Sequence, residues 1–316
     1  MSGAAPIDPR TGRPALNPYG EYTPSLPTAA VFIAIFSLSS LVYLYQILKP
    51  KPKRMLWMLV FPICGLIEII GWAGRLWSHF NVYGDGFMQQ ICCLTIAPTF
   101  MSAGLYMLLG VLIQRIAPHT SILSGKAFKI TFLVADILSL VIQAIGGGMA
   151  ASATTASGTE KGGQIMLGGI AFQLFVMIVY VVYGAIWAHK SRTEIHGTIL
   201  SIDGGEGITR AVAGMALCSL FIIIRGFYRS VELGDGFKGE IATNEPLFLL
   251  DAIPVALAMI SLNVLPPIQH LRCLGDNTKP SARRSSKNMI DLGLQNGEAE
   301  RSGSPTTLVG SGPSKK

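Results

Sequence analysis

Long apolar runs alternate with short polar connectors along most of this 316-residue chain. Seven runs stand out, at about 27–48, 55–78, 88–114, 127–150, 164–188, 209–230 and 245–268. Each exceeds the roughly 20 residues that a helix needs to cross about 30 Å of hydrocarbon. Runs this long are read as helices, which bond every backbone N–H and C=O within the segment, as lipid requires. The pattern predicts an all-α, polytopic membrane bundle of seven transmembrane helices over residues 27–270. A flexible, Pro/Gly-rich segment, 1–26, precedes it. A Ser/Gly/Pro/Lys-rich tail, 271–316, follows; with few apolar residues it is expected to be disordered. Pro62, Pro98 and Pro254 interrupt the second, third and seventh runs, where a missing amide donor kinks a helix.

Composition agrees with a membrane solvent. Half the residues are apolar, only 14% are charged, and the mean hydropathy is +0.47. Soluble globular chains carry about 25% charged residues, so a soluble enzyme or nucleic-acid binder is excluded. The formal charge of +7 sits in the tail and the connectors. The tail after Arg272 holds seven basic and four acidic residues. Among the connectors, the first carries Lys49, Lys51, Lys53 and Arg54, the third Arg115, Lys126 and Lys129, and the fifth Lys190, Arg192 and Arg210. The second has no Lys or Arg, and the fourth and sixth have only Lys161 and Lys238. Basic connectors face the cytoplasm, so the alternation predicts the N-terminus outside, the C-terminus cytoplasmic and an odd number of crossings. The first run begins after about 25 polar residues and is long enough to span, so it is expected to remain as a membrane helix, not to be cleaved as a signal peptide.

Ionisable side chains inside the runs change the picture from a membrane protein to one with a site. Each costs about 2.5–3.5 kcal/mol at mid-membrane on insertion scales and persists where it is paired or functional. Glu68 and Arg75 lie seven residues apart on the second run, Asp136 and Gln143 seven apart on the fourth, and Gln173 lies on the fifth. Arg225, Arg229 and Glu232 share one face of the sixth. Glu245 opens the seventh, with Asp251 further in. The predicted orientation gathers these residues in one outer-to-middle layer. Arg75, Arg225, Arg229, Glu232 and Glu245 are candidates for a charge network, in which Arg225 would pair with Glu232 or Glu245. Glu68, Asp136, Gln143, Gln173 and Asp251 are candidates for contacting a substrate. Five carboxylates against three guanidiniums leave a deficit that a cationic cargo or a proton could fill. Gly146-Gly147-Gly148 and Gly168-Gly169 either pack helices closely or mark an unwound segment beside a cavity.

Other chemistry is sparse. Cys64, Cys92, Cys93 and Cys218 lie within apolar runs, and no Cys/His spacing suits a metal. Cys273 sits where juxtamembrane cysteines are palmitoylated, and Arg283-Arg284-Ser285-Ser286 resembles a basophilic kinase substrate in a basic tail near anionic lipid. The chain has no HExxH, Walker loop, nucleophile elbow or dinucleotide fingerprint. No enzyme, metal or cofactor is expected, and transport would be facilitated, ion-coupled or powered by a partner. Nothing in the pattern specifies an oligomeric state.

The polar residues in the runs carry a resemblance. Glu68-Ile-Ile-Gly71-Trp72-Ala-Gly74-Arg75 is similar to E-x-x-G-Y-x-x-R, a signature of the fungal RTA-like, or lipid-translocating exporter, family, with Trp72 for tyrosine. Tyr22-Thr-Pro24-Ser25, Leu94 to Ala97-Pro98 with Tyr106, and Asp136, Ser139, Gln143 and Gly146-Gly147-Gly148 resemble further family segments in order. So do Gly169 with Gln173, Ile224-Arg225 to Tyr228-Arg229 with Glu232, and Gly236, Glu245 and Asp251. Leu265-Pro266 departs from a usual His-Pro. The resemblance implies a seven-span fungal protein, commonly of the plasma membrane, with the endoplasmic reticulum or vacuole as alternatives. It also implies translocation of sphingoid long-chain bases and resistance to toxic amphiphiles, with porphyrin or haem uptake in one branch.

Membrane lipids and an amphipathic small molecule are therefore the expected partners, with no nucleic acid. A seven-helix receptor or stress sensor is the alternative, and a porphyrin or haem transporter a further one. The orientation is testable: an epitope at the N-terminus should bind antibody on intact cells, and one at the C-terminus only after permeabilisation. The reverse pattern would remove the charge argument.

Overall fold

A computed structural model describes Tyr19 and residues 23–48, 56–83, 85–153, 155–201, 206–235 and 245–267. The tail with Cys273, Arg283 and Ser285, the basic residues of the first connector, Tyr22, Gly236 and Lys238 lie outside the described residues. Among the described residues eight α-helices follow in order: α1 Leu26–Leu48, α2 Val60–Phe80, α3 Gly86–Ile116, α4 Gly125–Ser152, α5 Ala156–Lys190, α6 Arg192–Ser201, α7 Glu206–Gly234 and α8 Glu245–Val264. A 3₁₀ turn, Leu56–Leu59, leads into α2.

The fold is an all-helical membrane bundle. Six of these helices are long and apolar enough to cross a bilayer. The apolar part of α8, Phe248–Val264, is shorter. The helices α1 to α5, then α7 and α8, pack as consecutive neighbours, and α8 returns to α1. In the middle, α3 also touches α5 and α7. Its most apolar stretch is 78% buried, against 28% for those of α1 and α4. Leu38 and Leu41 on α1, and Val134, Leu138 and Val141 on α4, are exposed. An apolar exterior of this extent would aggregate in water but matches acyl chains.

Helix ends show where the sequence reading was short. Ser124 Oγ accepts from Ala127 N and caps α4. Thr155 Oγ1 accepts from Gly158 N, so α5 begins eight residues before the expected 164 and includes Glu160 and Lys161. The apolar pattern missed this extension because its first turns are polar and glycine-rich. Helix α6 was also unforeseen, having no apolar run to mark it. Pro98 and Pro254 lie inside α3 and α8. Pro62 instead falls in the first turn of α2, where an amide would have no helical partner and proline is tolerated.

Glycines set the spacing of three successive hairpins near their connectors. A Cβ on Gly86 would stand 2.5 Å from the Gly74 carbonyl oxygen, and one on Gly125 would stand 2.6 Å from that of Gly110. One on Gly146 would stand 2.4 Å from the Met166 nitrogen and 2.7 Å from the Gly162 oxygen. With no hydrophobic drive between helices in lipid, such close approach supplies dispersion contact. The backbone stays helical through Gly146-Gly147-Gly148 to Ser152, so this cluster is not unwound, and Gly146 is its member that packs α4 against α5.

Gly146→Leu should therefore cost about 1–3 kcal/mol by overpacking and lower the thermal unfolding midpoint in detergent micelles. Gly148→Leu, where an added Cβ meets nothing within 4 Å, should leave the midpoint unchanged. Equal losses at both positions would discount the contact.

Candidate functional site

A proline prepares the site. Pro98 has no amide hydrogen, so the Leu94 carbonyl one turn earlier in α3 lacks its ordinary helical donor. Arg225 of α7 supplies one: its Nη2 donates to Leu94 O at 2.6 Å. The same guanidinium pairs with Asp251 of α8, Nε to Oδ1 at 3.1 Å and Nη2 to Oδ2 at 3.3 Å. One buried cation thus joins α3, α7 and α8.

One turn along α7, Arg229 extends the network. It pairs with Glu232 at 2.7 Å, donates to Thr95 Oγ1 at 3.4 Å and stands 3.9 Å from Asp251. The 4- and 3-residue spacings put all three α7 charges on one face. Arg225, however, pairs with Asp251, not with Glu232, because seven residues along a helix is about 10 Å of rise. Two cations and two anions, all nearly buried, offset one another's desolvation. The Glu245 side chain lies outside the described residues.

Beside the ion pairs runs an amide chain. Gln143 Nε2 donates to Gln173 Oε1, and Gln173 Nε2 donates to Thr99 Oγ1, each at 3.0 Å. Gln143 Oε1 is buried and accepts no hydrogen bond from the described residues. Close packing allows this meeting: a Cβ on Gly169 would stand 2.6 Å from Gln143 Cγ. The glutamines and arginines, with Thr95 and Pro98, line a cavity of about 30 Å³ between α3, α4, α5 and α7. That is room for about two waters.

The other candidates lie apart from the cavity lining. Glu68 is 2% exposed and its Oε1 accepts no hydrogen bond from the described residues. It is within electrostatic reach of Arg225, Asp251 and Arg229. Arg75 occupies an aromatic enclosure. Its guanidinium is 4.3 Å from the Phe248 ring centre, 5.7 Å from Tyr19 and 5.9 Å from Trp72, so ring quadrupoles help hold the charge. Tyr19 also donates to Gln90 Oε1 at 3.0 Å. Asp136 Oδ1 accepts from Tyr106 at 3.3 Å.

Sequence reasoning missed the contributions of Thr95, Thr99 and the Leu94 carbonyl. The last had a readable signal, a proline four residues downstream inside an apolar run. Cys64 and Cys218 are buried, Cys92 is exposed and Cys93 half-buried. Among the described residues no group of three or more His, Cys, Asp or Glu could hold a metal ion.

Residues 61–273 match the family described as RTA1 like protein. The sphingoid long-chain base transporter RSB1 of Saccharomyces cerevisiae (strain Lalvin EC1118) is 31% identical over 283 residues, covering 79% of this chain and 73% of that protein. From the same species, protoporphyrin uptake protein 1 is 26% identical, covering 77% of this chain and 90% of its own. Protein RTA1 is 25% identical, with coverages of 78% and 84%. No solved structure matches the chain.

The network carries an energetic signature. Asp251→Leu should destabilise the folded bundle by about 3–5 kcal/mol, because it leaves Arg225 buried without its carboxylate. Adding Arg225→Met should restore most of that loss in equilibrium unfolding, while Arg229 keeps Glu232. Additive losses in the double variant would argue against the pair.

Proposed function

The chain belongs to the RTA1-like family, and from that premise we propose that it translocates amphipathic lipids, with sphingoid long-chain bases as the leading cargo. The observation that carries this reading is a small cavity between α3, α4, α5 and α7 whose largely apolar lining includes Gln143, Gln173, Arg225 and Arg229, in a bundle whose outside is apolar. An amphiphile needs both: polar side chains inside for its head and lipid continuity for its chain. We place the protein in the plasma membrane with seven crossings, α8 being the last, an outer N-terminus and a cytoplasmic C-terminus.

Charge favours a cationic head. Among the described side chains the site layer holds four buried carboxylates, Glu68, Asp136, Glu232 and Asp251, and three buried guanidiniums, Arg75, Arg225 and Arg229, and Glu245, expected in the same layer, adds to the negative side. A sphingoid base carries one ammonium, and its hydroxyls suit Gln143 and Gln173. Glu68 is the carboxylate assigned to the ammonium, because Asp251 and Glu232 are committed to arginines. Binding sites for small molecules usually enclose about 300–1,000 Å³. The observed cavity is far smaller, so this conformation is closed and α7 and α8 must separate from α3 to admit a head group. The printed name of one relative makes porphyrin a second cargo class. Against it, the Tyr106 hydroxyl is engaged with Asp136 and Cys92 faces outward.

Purified protein in liposomes should move fluorescent long-chain base between leaflets faster than empty liposomes do. Glu68→Gln should slow this at least about tenfold, the loss of one ionic contact of about 1.4 kcal/mol. An unchanged rate would remove Glu68 from the path. Binding of the base without movement would instead identify a receptor.

A further inference from the structure

Asp136 is fully buried and outside the cavity lining. Its Oδ1 accepts from Tyr106 and its backbone oxygen accepts from Ser139 Oγ. The second carboxylate oxygen, Oδ2, accepts no hydrogen bond from the described residues. Helix α4 packs against α3 and α5. The titratable groups facing Asp136 from them are Tyr106 on α3 and Tyr180 on α5, whose ring centre is 4.9 Å from that of Tyr106. On α4 itself, Lys129 is two turns earlier and Phe132 one turn earlier, its ring centre 5.2 Å from that of Tyr106. Asp136 makes no ion pair among the described residues, whereas Glu232 and Asp251 each have an arginine.

Contact with the cavity is nonetheless short. Tyr106 Oη stands 3.9 Å from Met177 Sδ, and Met177 lines the cavity. Ser102, one turn before Tyr106, lines it too, and Gln143 lies two turns beyond Asp136 on the same face of α4.

We propose that Asp136 is a proton-binding site that couples cargo movement to proton movement in the opposite direction. An unpaired carboxylate inside hydrocarbon is costly while charged, and a proton on Oδ2 removes that cost. Tyr106, donating to Oδ1, supports the charged form, so both states are accommodated. The proton comes from water on one side and leaves to water on the other; Tyr106 keeps its own. A proton on Asp136 and an ammonium in the cavity answer the same excess of negative charge in this layer, so each weakens the hold on the other. Entry of a cationic head into the cavity therefore favours loss of the proton, and gain of the proton favours release of the head. The cargo half of this exchange rests on the function proposed above; the proton site does not.

The test uses the full chain in liposomes with fluorescent long-chain base and an imposed pH difference. One-for-one exchange predicts a steady-state cargo gradient of about tenfold per pH unit. Asp136→Asn, which keeps an acceptor for Tyr106 but holds the site uncharged as the proton does, should build no cargo gradient from pH. Cargo movement by the unaltered protein that ignores the pH difference would overturn coupling while leaving the cargo reading intact. If the unaltered protein moves no base, the cargo reading fails and infrared spectroscopy decides the proton site. A carboxylic-acid C=O band that titrates with pH and vanishes in Asp136→Asn supports it. Absence of that band at every pH, or its persistence in the variant, overturns it.

Discussion

A guanidinium inside a membrane must find all its acceptors in the protein, and Arg225 finds them on two helices at once. One is the Leu94 carbonyl, which has no helical donor because residue 98 is proline. The other is Asp251. Neither contact is available to Arg225 within its own helix, so satisfying this one charge obliges α3, α7 and α8 to meet. Arg229, one turn on, reinforces the junction through Thr95 and Asp251. The central position of α3 follows, since it supplies acceptors to α7 on one side and Tyr106 to α4 on the other.

Close packing does for the other half of the bundle what charge does for this one. Gly146 against Gly162 and Met166, and Gly169 against Ser139 and Gln143, bring the α4 and α5 backbones to distances no side chain would permit. Only then do Gln143 and Gln173 come within hydrogen-bonding range and continue to Thr99. The cavity forms where the glycine-packed half meets the ion-paired half. The polar side chains in its walls are therefore a product of both forces.

Much of this was legible beforehand, and what was not has a physical cause. Long apolar runs located the six helices that can cross a bilayer, because lipid leaves the backbone few alternatives. The face shared by Arg225, Arg229 and Glu232 followed from helical spacing. Spacing speaks only within a helix, however. The bond from Arg225 to Asp251 depends on how α7 meets α8, which no periodicity encodes. Arg75 was placed in a charge network, and its enclosure by Tyr19, Trp72 and Phe248, from three separate parts of the chain, is a further setting that spacing does not encode. The polar start of α5 and the whole of α6 were invisible to a reading built on hydropathy.

The same constraint governs how the proposed transporter would work. In a closed, dry layer the ionised side chains must nearly cancel, and the four charges of Arg225, Arg229, Glu232 and Asp251 do so among themselves. Glu68 and Asp136 are each left with a carboxylate oxygen that accepts no hydrogen bond from the described residues. Glu68 lies within reach of the arginines, whereas Asp136 lies beyond the cavity behind Tyr106. A charged head group entering near Glu68 changes the charge that the whole layer must balance, so the protonation of Asp136 responds without direct contact. Opening the cavity also exposes the arginine pairs to water, which weakens them and lowers the cost of separating α7 and α8 from α3. Cargo, proton and helix movement are then linked by one requirement, that no uncompensated charge remains buried when the bundle closes.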